Sequence, residues 1–296
     1  MATAEVLASG GIVRAARRPP GWVAPGPRPA AWDAPAVAPR AGEDLCFLAG
    51  DWRILQRIGG HRWSLDDLAT AWFAAETVAG TPPRRHADIG CGIGSVLLLV
   101  AWRFPGLRSV GVEAQEVSLA LARRSLAGNG VAERCEVRHG DLRDPAMLPE
   151  GAVFDLVTGT PPYLPPGTAC ESARVQRGPC RIEHRGGIED YCAAAARLLA
   201  RGGWFVACAG GAQTPRVHDA ARDAGLAVVR SRDVVPREGK PALLGVHAMR
   251  RVGDASLDPS GTPPVPPRQP PPLVVRDADG AWTAEFRALR RAMGMP

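Results

Sequence analysis

A glycine turn between two apolar runs constrains this chain most: Ala87-Asp-Ile-Gly-Cys-Gly-Ile-Gly94, followed by Ser95-Val-Leu-Leu-Leu-Val100. The run before the turn reads as a strand over 87–89, and the run after it as a helix over 95–103. Glycine passes a tight left-handed turn at low cost and lets the backbone approach a bound group closely. The same alternation continues along the chain. Strands are expected near 109–113, 134–138, 153–158, 203–209, 226–235 and 242–249. Helices are expected near 117–129, 188–200 and 215–224. An earlier helix is expected from Ser64, where Ser64-Leu-Asp-Asp67 reads as a capping box and Leu65, Leu68 and Trp72 follow at helical spacing. Alternation of this kind predicts an α/β, Rossmann-like sheet with helices on both faces. It has seven strands, mostly parallel, and the last is antiparallel because no helix separates the final two.

The flanks differ from this middle. Residues 1–43 are rich in Ala, Pro and Arg without sustained periodicity, and are expected to form a disordered leader. The α/β domain is assigned to 44–251. Residues 252–296 hold the Pro-rich run PSGTPPVPPRQPPP at 259–272, read as an extended linker. A short helix should follow it, capped by Thr283, with Phe286, Leu289 and Met293 on one face. No run of about 18 apolar residues suggests a membrane span. Seven cysteines at irregular spacing, with no C-x-x-C pair, suggest neither a disulfide framework nor a metal site. A cytoplasmic protein is expected. The net charge of +6 permits a polyanionic partner. The basic residues are nearly all arginine, with Lys240 the only lysine, so a coding bias explains mild basicity equally well.

Three acids accompany the glycines Gly90, Gly92 and Gly94. Asp88 precedes the first glycine by two residues. Glu113 ends the next expected strand, where a carboxylate can accept from both hydroxyls of a ribose. Asp141, in His139-Gly-Asp-Leu142, follows the third strand, where it can accept from an adenine amino group with Leu142 beside the ring. A glycine loop alone also suits a nicotinamide cofactor, and Asp141 alone also suits a turn. The G-x-G-x-G spacing and the ordered acids, each at a strand's carboxyl end, favour S-adenosylmethionine.

Three stretches carry a resemblance over roughly 44–251. They are Ile54-Leu-Gln56 with His61-Arg-Trp-Ser-Leu-Asp66, then Asp88-Ile-Gly-Cys-Gly-Ile-Gly94, then Thr158-Gly-Thr-Pro-Pro-Tyr163. The run Val234-Val-Pro-Arg-Glu-Gly-Lys240 extends it. The sequence resembles the class I S-adenosylmethionine-dependent methyltransferases, and most of all the bacterial tRNA adenine-N6 methyltransferases that act on valine tRNA. Release-factor glutamine methyltransferases carry a similar Pro-Pro-Tyr loop.

The resemblance implies how that loop works. An exocyclic amine is a poor nucleophile because its lone pair is delocalised. A loop side-chain oxygen and a backbone carbonyl accept its two N–H bonds and aim the developing lone pair at the methyl group. A tyrosine stacks on the flat target, which must first leave its own stack. Thr160 would take the polar position, Pro161 would offer the carbonyl, and Tyr163 would be the platform, with Pro162 between them in the same catalytic loop. Thr160 stands where the family has Asn or Asp, and its hydroxyl reaches less far. The alternatives are that the Pro161 carbonyl carries most of the load, that the substrate differs, or that Thr160 simply fits the extended backbone required before proline.

The resemblance puts Arg62 and Asp66, before the core, near the cofactor's mouth, where they are expected to bind substrate. Arg174 and Arg177 belong to a basic run over 171–185 that suits phosphate contacts or a solvated surface equally. Gln56 is assigned to the same segment as Arg62, and His184 to a surface role. The expected function is methylation of adenine N6 in tRNA or another structured RNA. The alternatives are a protein glutamine amide, a small metabolite, or a non-catalytic module that binds RNA or a partner. Nothing in the sequence sets an oligomeric state.

Overall fold

The computed structural model describes residues 4–30, 32–148, 151–164, 182–255 and 269–296. The strands are β1 (Glu5–Val6), β2 (Ile12–Val13), β3 (Glu43–Ala49), β4 (Trp52–Arg57), β5 (Arg85–Ile89), β6 (Arg108–Glu113), β7 (Cys135–His139), β8 (Phe154–Gly159), β9 (Leu199–Gly210), β10 (Leu226–Val235), β11 (Leu244–Arg251) and β12 (Leu273–Val274). The helices are α1 (Leu65–Thr77), α2 (Ser95–Arg103), α3 (Glu116–Gly128), α4 (Ile188–Leu198), α5 (Thr214–Asp223), α6 (Val252–Ala255) and α7 (Ala284–Ala292).

The main sheet has the order β12-β10-β11-β9-β8-β5-β6-β7. All its strands run parallel except β11, which is antiparallel to both β9 and β10. The sheet therefore has eight strands instead of seven. The extra strand, β12, lies beyond the Pro-rich run and pairs Leu273 with Val234. At two residues it is too short to leave a periodic signal. β5 and β8 are adjacent, and β6 lies on the other side of β5, so the strand order reverses there. Open α/β sheets bind ligands at such a switch point, outside the carboxyl ends of the strands.

Two apolar cores cover the two faces. One joins α1, α2, α3 and α7 through Leu68, Phe73, Leu97, Leu121 and Phe286. The other packs α4 and α5 on the sheet through Tyr191, Cys192, Val217 and Ala220. α1 begins as its sequence predicts, with the Ser64 N–H donating to Asp67 Oδ2 at 2.9 Å. α7 is capped by Thr283, whose hydroxyl accepts from the Phe286 N–H at 3.1 Å.

The leader departs from the disorder expected of 1–43. Its described residues lie on the domain, and β1 and β2 join β3 and β4 in a second sheet of order β1-β2-β3-β4. Arg14 donates to Asp44, and Arg18 to Asp51, each at 2.8 Å. Trp32 packs against the core and donates to Asn129 Oδ1 at 3.3 Å. Asn129, in turn, ties β4 to the end of α3, accepting from the Arg53 N–H at 3.0 Å and donating to its carbonyl at 2.7 Å. These ties join residues far apart in sequence, so local composition does not announce them. Of the Pro-rich run, 259–268 lie outside the described residues.

Candidate active site

The register aligns the carboxyl ends of four neighbouring strands. Asp88 pairs with Gly111 and with Thr158, and Glu113 pairs with His139. The chain then leaves the sheet in four loops on the same edge. These loops and the segment before α1 enclose a cleft of about 460 Å³. Of the predicted residues, Gly90, Gly92, Glu113, Asp141, Leu142, Thr160, Pro161, Pro162, Tyr163, Arg62 and Asp66 line it. Asp88 and Gly94 lie behind it. Arg174 and Arg177 lie outside the described residues, as does most of the basic run they belong to.

Gly90, Gly92 and Gly94 have φ of +66°, +56° and +83°. At Gly92 a side chain would project into open space. Because Gly92 lines the cleft, glycine there keeps the backbone bare to a ligand. Glu113 is 6% exposed, and its carboxylate is fixed by two backbone donors, Gly92 N–H at 2.8 Å and Gln115 N–H at 2.6 Å. Each oxygen keeps a further lone pair for a hydroxyl. Burial raises the Glu113 pKa, while the two N–H donors, Arg185 and His61 oppose that rise.

Asp88 supports the turn from below. Its Oδ2 accepts from the Leu97 N–H at 3.0 Å, in the first turns of α2. Its Oδ1 accepts from the Thr158 hydroxyl at 2.7 Å. With the Thr158 hydroxyl hydrogen directed at Asp88, its oxygen accepts from His86 Nε2 at 2.8 Å. His86 Nδ1 is then left to accept from Ser109 at 3.2 Å. Burial holds His86 neutral, with a pKa lowered to about 3, and raises Asp88 to about 7. The chain of bonds locks β5, β6 and β8 together directly beneath the cleft.

Asp141 has a local partner. Arg143 donates to both its oxygens, at 2.9 and 2.6 Å, and this bond holds its pKa below the usual value. Arg62 is likewise engaged: its guanidinium forks onto the fully buried Asp44 at 3.0 and 3.1 Å. Asp66 bonds to the Ser64 hydroxyl. Gln56 accepts from the Trp63 N–H at 2.9 Å and so shapes the loop before α1. His184 is exposed. Across the cleft, the Tyr163 carbonyl accepts from Gln213 Nε2 at 2.9 Å, anchoring the end of the Thr-Pro-Pro-Tyr loop.

Two residues in the cleft were not marked by the sequence as part of it. Asp67 is buried beneath Asp66, accepts from Ser95 Oγ at 2.9 Å, and has its pKa raised to about 8, by burial first and by Asp66 second. Its capping-box position showed it as a helix start and hid its place beside the glycine turn. Tyr191, in α4, packs against both Gly90 and Gly159, where an added Cβ would collide with its ring or hydroxyl. Its signal was a lone aromatic on a helix. Among the described residues no group of three or more His, Cys, Asp or Glu gathers as a metal would require.

Residues 87–168 match the family model described as a methyltransferase domain. The chain is 31% identical over 134 residues to a tRNA1(Val) (adenine(37)-N6)-methyltransferase of Porphyromonas gingivalis, covering 45% of this chain and 51% of that one. It is 32% identical over 126 residues to a release factor glutamine methyltransferase of Chlorobaculum tepidum, covering 39% and 42%. The chain thus spans about half the length of the curated relatives it matches. The solved structure of a predicted O-methyltransferase from Agrobacterium tumefaciens superposes with a TM-score of 0.55 at 20% identity, over 78% of this chain and 98% of that one. The described architecture is thus shared with that fold.

Proposed function

We propose that this chain, whose fold is that of the class I methyltransferases, moves a methyl group from S-adenosylmethionine to adenine N6 of transfer RNA. The observation that carries this reading is the shared cleft: the glycine turn with Glu113 forms one part of its wall and Thr160-Pro-Pro-Tyr163 another. The similarity to the tRNA and release-factor methyltransferases supports a planar nitrogen as acceptor.

The residues present fit the donor. The bare Gly92 backbone admits close approach, and the fixed Glu113 carboxylate suits a pair of ribose hydroxyls. Asp141 and Leu142 lie on the cleft wall after β7, where an adenine edge and face would meet them. When bound, S-adenosylmethionine supplies an activated methyl group on a sulfonium. The protein's own work is positioning. Tyr163 stacks on the acceptor ring, while the Thr160 hydroxyl and the Pro161 carbonyl accept its N–H bonds and turn the lone pair inward. The Gln213 bond to the Tyr163 carbonyl holds this platform still. No base is needed before transfer, because the proton leaves after the nitrogen gains positive charge.

Calorimetry with S-adenosylhomocysteine should show binding that Glu113→Ala weakens. Radiolabelled methyl should enter unfractionated tRNA as N6-methyladenosine, and Tyr163→Ala should lower that rate about 100-fold. Label in a release-factor glutamine peptide, or only in small metabolites, would overturn adenine as the acceptor. Thr160→Asn should raise activity on adenine, and its loss would mark a pocket built for another acceptor.

A further inference from the structure

The β1–β4 sheet and the two chain ends enclose a second cavity of about 590 Å³, outside the reaction described above. We propose that this cavity is a docking groove for the RNA strand that leads into the cleft, with arginines on its phosphates and aromatic rings against a base. The proposal rests on the RNA reading of the active site.

Continuity is the first argument. Arg62 and Trp63 line both the cleft and the groove, so the two spaces meet at those side chains. A nucleotide turned out into the cleft leaves its neighbours attached through the backbone, and that backbone must run along an adjoining surface.

Charge is the second. Arg14, Arg17, Arg18, Arg62 and Arg290 line the groove, and among the described residues no Asp or Glu does. Carboxylates behind the wall offset this only in part. Asp44 serves both Arg14 and Arg62, and Asp51 serves Arg18. Arg17 is exposed and has no ion-pair partner among the described residues. Arg290 Nε donates to the Pro296 backbone oxygen at 3.1 Å, and its guanidinium lies 4.0 Å from the Trp282 ring centroid. A wall of this sign attracts a polyanion.

The rings are the third argument. Arg18 lies 4.8 Å from the Trp22 ring centroid and 4.6 Å from that of Phe47, and Arg53 lies 4.2 Å from the Phe47 centroid. Trp22, Phe47 and Trp63 are half-buried, so part of each remains accessible from the groove. Alternating guanidinium and aromatic planes are the surface on which single-stranded bases stack. An acidic peptide would use the arginines but offer no flat base to the accessible parts of the rings, so the pairing favours nucleic acid.

Arg17→Glu tests this on the full-length chain, with unfractionated tRNA as the probe. The KM for tRNA should rise about tenfold, while kcat at saturating tRNA and affinity for S-adenosylhomocysteine stay at wild-type values. The slope of log affinity for tRNA against log salt should become shallower by about one. Trp22→Ala should raise the same KM through lost stacking. Arg201→Glu, near the amino end of β9 and so on the opposite sheet edge, should leave it unchanged. If Arg17→Glu also loses S-adenosylhomocysteine binding, Arg17→Ala carries the test instead. Wild-type tRNA methylation with an unaltered KM in the Arg17 and Trp22 variants would overturn the groove and leave the activity standing. So would an equal KM rise in Arg201→Glu, or a competing acidic peptide that Arg17→Glu releases while tRNA kinetics stay fixed. A wild-type protein that neither binds nor labels tRNA would remove the RNA reading itself, and the groove with it.

Discussion

Asp67 and Asp88 are buried near the glycine turn, and burial raises their pKa values to about 8 and about 7. Each holds its proton more tightly in the folded chain than in the unfolded one. Stability therefore falls as pH rises from near 4 through those values. His86 and His247 act oppositely. Burial lowers them to about 3 and about 4, so the folded chain excludes protons that the unfolded chain binds up to about pH 6.5. The two effects oppose each other below about pH 6.5, and above it the carboxyls act alone. The thermal midpoint of the ligand-free protein should fall between about pH 6.5 and 8. Each carboxyl contributes a slope of at most about 1.4 kcal/mol per pH unit. Asp67→Asn keeps an acceptor for the Ser64 N–H and an amide for the Ser95 hydroxyl, and loses the titration. Melting curves of this variant should show a flatter decline; an unchanged slope would mean that Asp67 titrates near its ordinary value in the folded chain.

At the scale of elements, Tyr191 couples the glycine turn to the Thr-Pro-Pro-Tyr loop. Its ring is packed beside Gly90 in the glycine turn and Gly159 at the end of β8, one residue before Thr160. A Cβ at Gly159 would fall 2.6 Å from Tyr191 Cδ1. Gly159→Ala should therefore cost about 1–3 kcal/mol in urea unfolding, as overpacking does. Adding Tyr191→Ala should remove that penalty, so that the two changes are strongly non-additive. Additive losses would show that the alanine strains the backbone instead of the ring. Such coupling is what the sequence hides. The glycine turn, Glu113 and the Thr-Pro-Pro-Tyr loop were legible because each sits at a strand end marked by local pattern. α1 and α7 were legible through caps and a 3.6-residue period, and α2 through the apolar run that follows the glycines. Tyr191 and Asp67 reach the cleft through tertiary packing, which leaves no mark at their own positions. The small sheet escaped too, since β1 and β2 have two residues each and the pairing that ties them to β3 joins Ile12 to Asp44, about thirty residues on.

Across the whole molecule, both flanks close on one side chain, Trp102 of α2. Gly26 in the leader and Gly294 after α7 each press on its ring so closely that a Cβ would collide with it. The Gly50 N–H donates to the Gly294 carbonyl at 2.7 Å and ties this end to the turn between β3 and β4. α7 holds the arrangement in place by burying Phe286, Leu289 and Met293. Replacing Phe286 and Leu289 by alanine should remove about 2–5 kcal/mol apiece from a fully docked helix. That is enough to release a nine-residue helix with little stability of its own. Trypsin should then cut after Arg290 and Arg291 faster than in the wild type. The groove wall formed by Arg290, Gly294 and Met295 should be lost with it, raising the KM for tRNA. Affinity for S-adenosylhomocysteine should persist, because Gly92, Glu113 and Asp141 are carried by other elements. An S-adenosylhomocysteine affinity that fell in step with the KM rise would show that α7 supports the main sheet as a whole, and that the groove is not separable from the cofactor site.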